Sequence, residues 1–143
     1  MRLVLATLIG LMVLTSAAPS WADDAADLAG SWVVTAAEFK GIARDLANFS
    51  FDTLKFADGK MVTSKDGEEV STVSYEVIGN KKPKRMNWST EENGTLPTIY
   101  DIQGSTLRIC FPIKKPSKEK DIPAPKTFKT KGKNLVLITA EKE

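Results

Sequence analysis

Ile99-Tyr100-Asp101-Ile102-Gln103-Gly104-Ser105-Thr106-Leu107-Arg108-Ile109-Cys110-Phe111 is the stretch that decides the fold. Two β-rich runs flank the short turn Gln103-Gly104-Ser105. After the turn, Leu107, Ile109 and Phe111 alternate with Thr106, Arg108 and Cys110. A period of two puts the apolar residues on one face of a strand and the mixed set on the other. That is the pattern of a half-buried strand in a β-pair.

The same pattern recurs on both sides. Gly30 to Thr35 reads as the first strand, with Trp32 and Val34 on one face. Phe51 to Phe56 ends at Asp58-Gly59, and Met61 to Ser64 ends at Asp66-Gly67. Asp-Gly between apolar runs is a hairpin signal, because glycine, and more weakly aspartate, tolerates positive φ. Val73, Tyr75 and Val77 alternate within Glu69 to Ile78, and Met86 and Trp88 alternate in the next short run. Pro97 predicts that its strand starts irregularly or lies at an edge, because proline cannot donate to a ladder. Lys126 to Thr130 reads as a brief strand, and Asn134 to Ala140 as the closing one. Phe39, Ile42, Leu46 and Phe49 fall at helical spacing, which predicts a short amphipathic helix over Gly41 to Asn48. About eight or nine short strands at turn spacings of 8–12 residues predict an all-β fold, a small antiparallel meander barrel with one short helix between strands 1 and 2. Pro112 to Pro125 holds four prolines among its lysines and is expected to be an exposed, mobile excursion.

The first residues read as a targeting segment. Arg2 is the positive n-region, and Leu3 to Leu14 an apolar h-region about a dozen residues long, short for a membrane anchor. Small residues at Ser20 and Ala22 place cleavage before Asp23. The expectation is a signal peptide over 1–22 and one exported domain, periplasmic or extracellular, over 23–143, with residues 23–27 a mobile lead-in. No later segment is long and apolar enough to span a membrane. Without Arg2 the chain carries 19 basic and 18 acidic side chains, a balance that points neither to nucleic acid nor to a membrane surface.

Residue content narrows the chemistry. The chain of 143 residues has no histidine and one cysteine, Cys110. It therefore has no Ser-His-Asp triad, no Cys-His pair, no His-ligated zinc or haem, no thiolate metal cluster and no internal disulfide. No cofactor is expected. The paired carboxylates Glu68-Glu69 and Glu91-Glu92 flank predicted turns, and neighbours on a strand point to opposite faces, so neither forms an acid/base couple. No nucleophile and base can be paired, so the chain is not expected to be an enzyme.

Gly30-Ser31-Trp32 at the first strand resembles the Gly-x-Trp signature of lipocalins and fatty-acid-binding proteins, in which the tryptophan plugs the closed end of the barrel. The wider order adds Asp58-Gly59-Lys60, Lys82-Pro83-Lys84-Arg85-Met86, Ile99-Tyr100 through Phe111, and Phe128 before the closing strand. This order resembles an uncharacterised, lipocalin-like exported domain family abundant in planctomycete bacteria, over about Leu28 to Lys142. The resemblance implies a fold and an exported location, and no activity. It assigns Gly30, Trp32 and Arg108 to the structural motif. Lipocalins pack a late arginine across the tryptophan; the candidates here, Arg85 and Arg108, both stand away from that arginine's usual place.

The functional expectation is a binding module. In one reading a small apolar ligand sits within the barrel near Phe51, Phe56, Tyr75 and Trp88, under a lid formed by Phe39, Ile42 and Leu46. In the other the core is closed and the domain acts on a protein partner, as an interaction or inhibitor module, through its loops. Two basic runs stand out: Lys81, Lys82, Lys84 and Arg85, and a later run from Lys114 to Lys133 opposed only by Glu119 and Asp121. Aromatics do not interleave with them, apart from Phe128, so base stacking is not expected.

Overall fold

The computed structural model describes residues 25–78, 81–90, 94–113 and 122–143. The signal peptide expected over 1–22 lies outside the described residues.

Nine strands follow in chain order: β1 (Gly30–Phe39), β2 (Ile42–Ala43), β3 (Thr53–Ala57), β4 (Lys60–Lys65), β5 (Glu68–Ile78), β6 (Lys84–Thr90), β7 (Gly94–Gln103), β8 (Thr106–Pro112) and β9 (Leu135–Lys142). β1 pairs antiparallel with both β2 and β3, each strand from β3 on pairs antiparallel with the next, and β9 returns to pair with β1 over Trp32↔Lys142 to Phe39↔Val136. The result is a closed eight-strand barrel, with β2 a two-residue spur on β1. Closure leaves no long free sheet edge, the usual route to edge-to-edge aggregation. The meander read from the sequence is therefore the fold observed.

Local chemistry explains the turns. Asp58 and Gly59 have φ of 52° and 73°, and Asp66 and Gly67 have 51° and 81°. Two successive positive values define the tight hairpin turn whose twist matches paired strands. The same chemistry overturns the helix expected over Gly41 to Asn48. Lys40 and Gly41 also have positive φ, 51° and 82°, and reverse the chain into β2. A Cβ at Gly41 would stand 2.9 Å from Lys131 Cα, so the position needs glycine for space as well as for φ. What remains of the helical pattern is a 3-10 turn, Leu46–Asn48, capped by the Asp45 carboxylate on Ala47 N at 3.0 Å.

Pro97 stands inside β7, opposite Asn87. It is tolerated because the ladder toward β8 starts two residues later, at Ile99↔Cys110. Residues 122–134 carry no strand, so the brief strand expected at Lys126 to Thr130 is absent.

Side chains alternate in and out of the barrel. Inside, Trp32, Leu54, Phe56, Met61, Met86, Tyr100, Leu107, Ile109 and Ala140 form one buried cluster. Trp32 is 1 % exposed and donates from Nε1 to Leu28 O at 2.8 Å. Leu28 ends a helical turn over 25–28 and is itself fully buried. Residues 25–27 of the expected lead-in thus belong to this turn, and Leu28, which follows them, plugs one end of the barrel. A second cluster, Val34, Val136 and Ile138, fills the opposite end, with Phe39, Leu46, Phe49, Phe51, Phe111 and Ile113 packed against it.

Outside, one wall carries a second layer. Ile99 and Cys110 face outward, yet both are fully buried. Segment 122–134 packs near them and is fastened at two points. Thr130, 1 % exposed, accepts from Gly41 N at 2.9 Å and donates to the Glu38 carboxylate. Phe128 lies under the Arg108 guanidinium, 4.4 Å from ring centre. Pro125 is buried and Ile122 packs on the inner cluster, so this end of the expected exposed excursion is part of the packed structure. Residues 114–121 of that excursion lie outside the described residues.

Candidate functional site

The end of the barrel opposite Trp32 is its mouth. There residues 44–52 cross from β2 to β3 and are tied to the β4–β5 hairpin. The crossing is held by Lys65 Nζ, which donates to Leu46 O at 3.0 Å. Asp52 accepts Asp66 N at 3.1 Å and the Thr53 hydroxyl at 3.0 Å. These bonds, with the Lys65 charge nearby, hold its carboxyl below the usual aspartate range.

A pocket of about 380 Å³ opens at this mouth. Phe39, Phe49 and Val136 give it an apolar floor, and Glu38, Arg44, Asp45 and Asn48 a polar rim. The Arg44 guanidinium stands 4.7 Å over the Phe39 ring and forms no ion pair among the described residues. Asp45 also accepts Asn48 Nδ2 at 3.3 Å, so its carboxylate is engaged in holding the 3-10 turn.

The four residues expected to line a ligand site share the inner cluster, Phe56 and Trp88 as members and Phe51 and Tyr75 packed against it. Phe56 and Tyr75 stack edge to face at 5.1 Å beside the Asp58-Gly59 turn, on the Trp32 side. Burial raises the Tyr75 phenol pKa, and the Asp58 charge adds to it, so the group stays protonated. Trp88 lies against Phe111 at 5.0 Å and Phe51 against Phe49 at 5.0 Å, below the mouth. Phe51, Phe56, Tyr75 and Trp88 do not line the pocket at the mouth. Trp88 Nε1 is buried with no hydrogen-bond partner among the described residues, a donor left costly by about 1–3 kcal/mol. Of the expected lid, Phe39 and Leu46 pack on the mouth cluster, whereas Ile42 is 63 % exposed.

The motif residues are placed as follows. Gly30 opens β1 with φ 113°, and Trp32 closes the far end of the barrel. Arg108 faces outward and binds Asp101 across the β7–β8 ladder, Nε to Oδ1 at 2.9 Å and Nη2 to Oδ2. The cation over Trp32 is instead Lys142, 5.5 Å from the ring centre. Only its place near the end of β9 could have signalled this, since register alone sets it opposite Trp32.

The Cys110 thiol is pushed up to about 11 by burial, with Lys133 opposing and Glu38 reinforcing, which makes it a poor nucleophile at neutral pH. Among the described residues, no three Cys, Asp or Glu side chains gather as metal ligands. No helix among them is long and apolar enough to cross a membrane. Comparison with protein-family models, curated proteins and solved structures returned no match.

Proposed function

We propose that this chain is an exported, non-enzymatic binding domain of the lipocalin-like family it resembles, which takes a small, largely apolar ligand at the mouth of its barrel. The carrying observation is the mouth pocket itself, whose apolar floor of Phe39, Phe49 and Val136 sits under a rim of Arg44, Asp45 and Asn48. Ligand sites combine concavity, apolar lining and a few polar groups that orient the ligand, and 380 Å³ is in the range for a small molecule. Phe51 and Phe111 pack on both apolar clusters, so they link the pocket floor to Trp88 deeper in the barrel. Residue content supports the non-enzymatic part: no histidine, and a single cysteine with a raised thiol pKa.

The test uses N-phenyl-1-naphthylamine, a neutral apolar fluorophore. Saturable binding of one molecule per chain is expected, with Trp88 fluorescence quenched through the aromatic contacts. Asn48 is exposed and lines the pocket, so Asn48→Trp fills it without opening the core. That variant should keep the wild-type melting temperature and bind at least tenfold more weakly. Unchanged binding by Asn48→Trp, or no saturable binding at all, defeats the proposal.

A second reading, a closed core acting on a protein partner through loops, draws on the filled interior around Trp32. Native mass spectrometry of protein purified from its own host separates the two. A retained small molecule favours the first reading, and a retained protein the second.

A further inference from the structure

The two basic runs, separate in sequence, meet in space. Lys81, Lys82 and Arg85, from the start of β6 and the residues before it, share a hollow of about 450 Å³ with Lys126 of the wall segment. The floor is Ile99, and Pro83, Pro123 and Pro125 form stiff sides. Among the described residues, four cations line this hollow and no carboxylate does. None of the four forms an ion pair among the described residues.

Solvated surface lysines spread apart to lower their repulsion. Here the packing of segment 122–134 against the barrel wall brings them around one concavity instead. Arg85 lines the hollow, and its Nε is buried with no hydrogen-bond partner among the described residues. Two residues on, Asn87 Oδ1 is buried and unbonded as well. Both side chains belong to the outward stripe of β6, opposite Ile99 and Pro97. A guanidinium partly withdrawn from water without a counter-charge is unfavourable, and an anion in the hollow supplies that charge. Low-dielectric walls focus the field of the lysines on the same point.

We infer that this outer-wall hollow is a binding site for a small phosphate-type oxyanion, held by Arg85, Lys126, Lys81 and Lys82. Guanidinium and ammonium groups together give the charge-assisted hydrogen bonds that such a group needs. The site is separate from the mouth pocket and stands whether or not an apolar ligand binds there. Its size favours a soluble anion over a lipid headgroup held in a flat surface.

The test titrates the ¹⁵N-labelled full chain with inorganic pyrophosphate at constant ionic strength. Saturable amide shifts are expected at Lys81, Lys82, Arg85, Ile99, Ile122, Ala124 and Lys126, and not around the mouth. Lys82→Ala with Lys126→Ala should weaken binding at least tenfold; both residues are exposed, so folding is preserved. Lys55→Ala with Lys60→Ala removes the same charge from another exposed part of the wall and should change affinity less than twofold. Vesicles containing phosphatidic acid form the second arm. Shifts spread over all lysines, equal losses in the two double variants, or binding to vesicles with none to pyrophosphate overturns the assignment.

Discussion

Trp32→Phe isolates what the plug at the barrel's closed end contributes. The substitution keeps an aromatic ring in the core but removes the indole N–H, and with it the 2.8 Å bond to Leu28 O. Trp32 is 1 % exposed and Leu28 fully buried, so the carbonyl left behind has little access to water. A buried acceptor stripped of its donor costs about 1–3 kcal/mol. The smaller ring also leaves roughly 40 Å³ unfilled, which at about 24 cal/mol per Å³ adds ~1 kcal/mol if neighbours do not collapse. The expected loss is therefore about 2–4 kcal/mol, a large share of a stability on the order of 5–15 kcal/mol. Trp32→Ala adds a larger cavity and should cost at least about 3–5 kcal/mol, enough to unfold a marginal domain. Equilibrium urea unfolding followed by far-ultraviolet circular dichroism measures both without relying on tryptophan emission. A loss below ~1 kcal/mol for the phenylalanine variant would refute the reasoning, because neither the bond nor the packing could then be sound.

Four further outcomes are expected. Gly41→Ala should cost well over ~1 kcal/mol, because it meets both a positive φ and Lys131 Cα at 2.9 Å; Gly59→Ala, with positive φ but open space, should cost less in the same urea assay. Cys110 should resist iodoacetamide at pH 8 in the native state and react quickly in urea. Because its folded pKa is raised from 9.0 to about 11, its contribution is intact below pH 9 and lost as pH rises toward 11, by about 2–3 kcal/mol, so Cys110→Ala should flatten the alkaline limb of the stability curve. Asp52 behaves in the opposite sense: its folded pKa is lowered, so its stabilisation is present above pH 3.8 and lost as pH falls through the folded value; the Asp66 amide should titrate with a midpoint below 3.8, and Asp52→Asn should abolish that transition. Phe128→Ala should remove the Arg108 stacking, worth about 0.5–1 kcal/mol, and speed both Cys110 alkylation and amide exchange at Ile99; unchanged rates would show that Phe128 does not hold the segment down.

Most of the barrel was legible in the chain because strands and tight turns are specified locally. Period-two alternation at Leu107, Ile109 and Phe111 sets which face is buried, and a one-residue slip would expose them all. The Asp58-Gly59 and Asp66-Gly67 pairs state their hairpins outright, since few residue pairs accept two positive φ values. Lys40-Gly41 makes the same turn without aspartate, and the helical spacing around it hid it. Pro97 predicts an irregular start or an edge, and its place inside β7 is not legible because sequence does not show where the β7–β8 ladder begins. The mouth pocket is half legible: the apolar Phe39 and Phe49 stand out in the sequence, whereas Arg44 and Asp45 carry no local signal and reach the pocket only through the crossing of residues 44–52.

Contacts between residues far apart in sequence were decided only by the tertiary structure. Alternation marks Ile99 and Cys110 as outward, and nothing local reveals that residues 122–134 approach to bury them. Arg108 pairs with Asp101 and covers Phe128 because β7 and β8 are in that register, while Lys142 reaches Trp32 because the barrel closes through β9 and β1. The basic hollow follows the same rule. Its lysines are plain in the sequence, but their convergence on one concavity depends on a loop docked across the outer wall, and strand periodicity carries no information about loop docking.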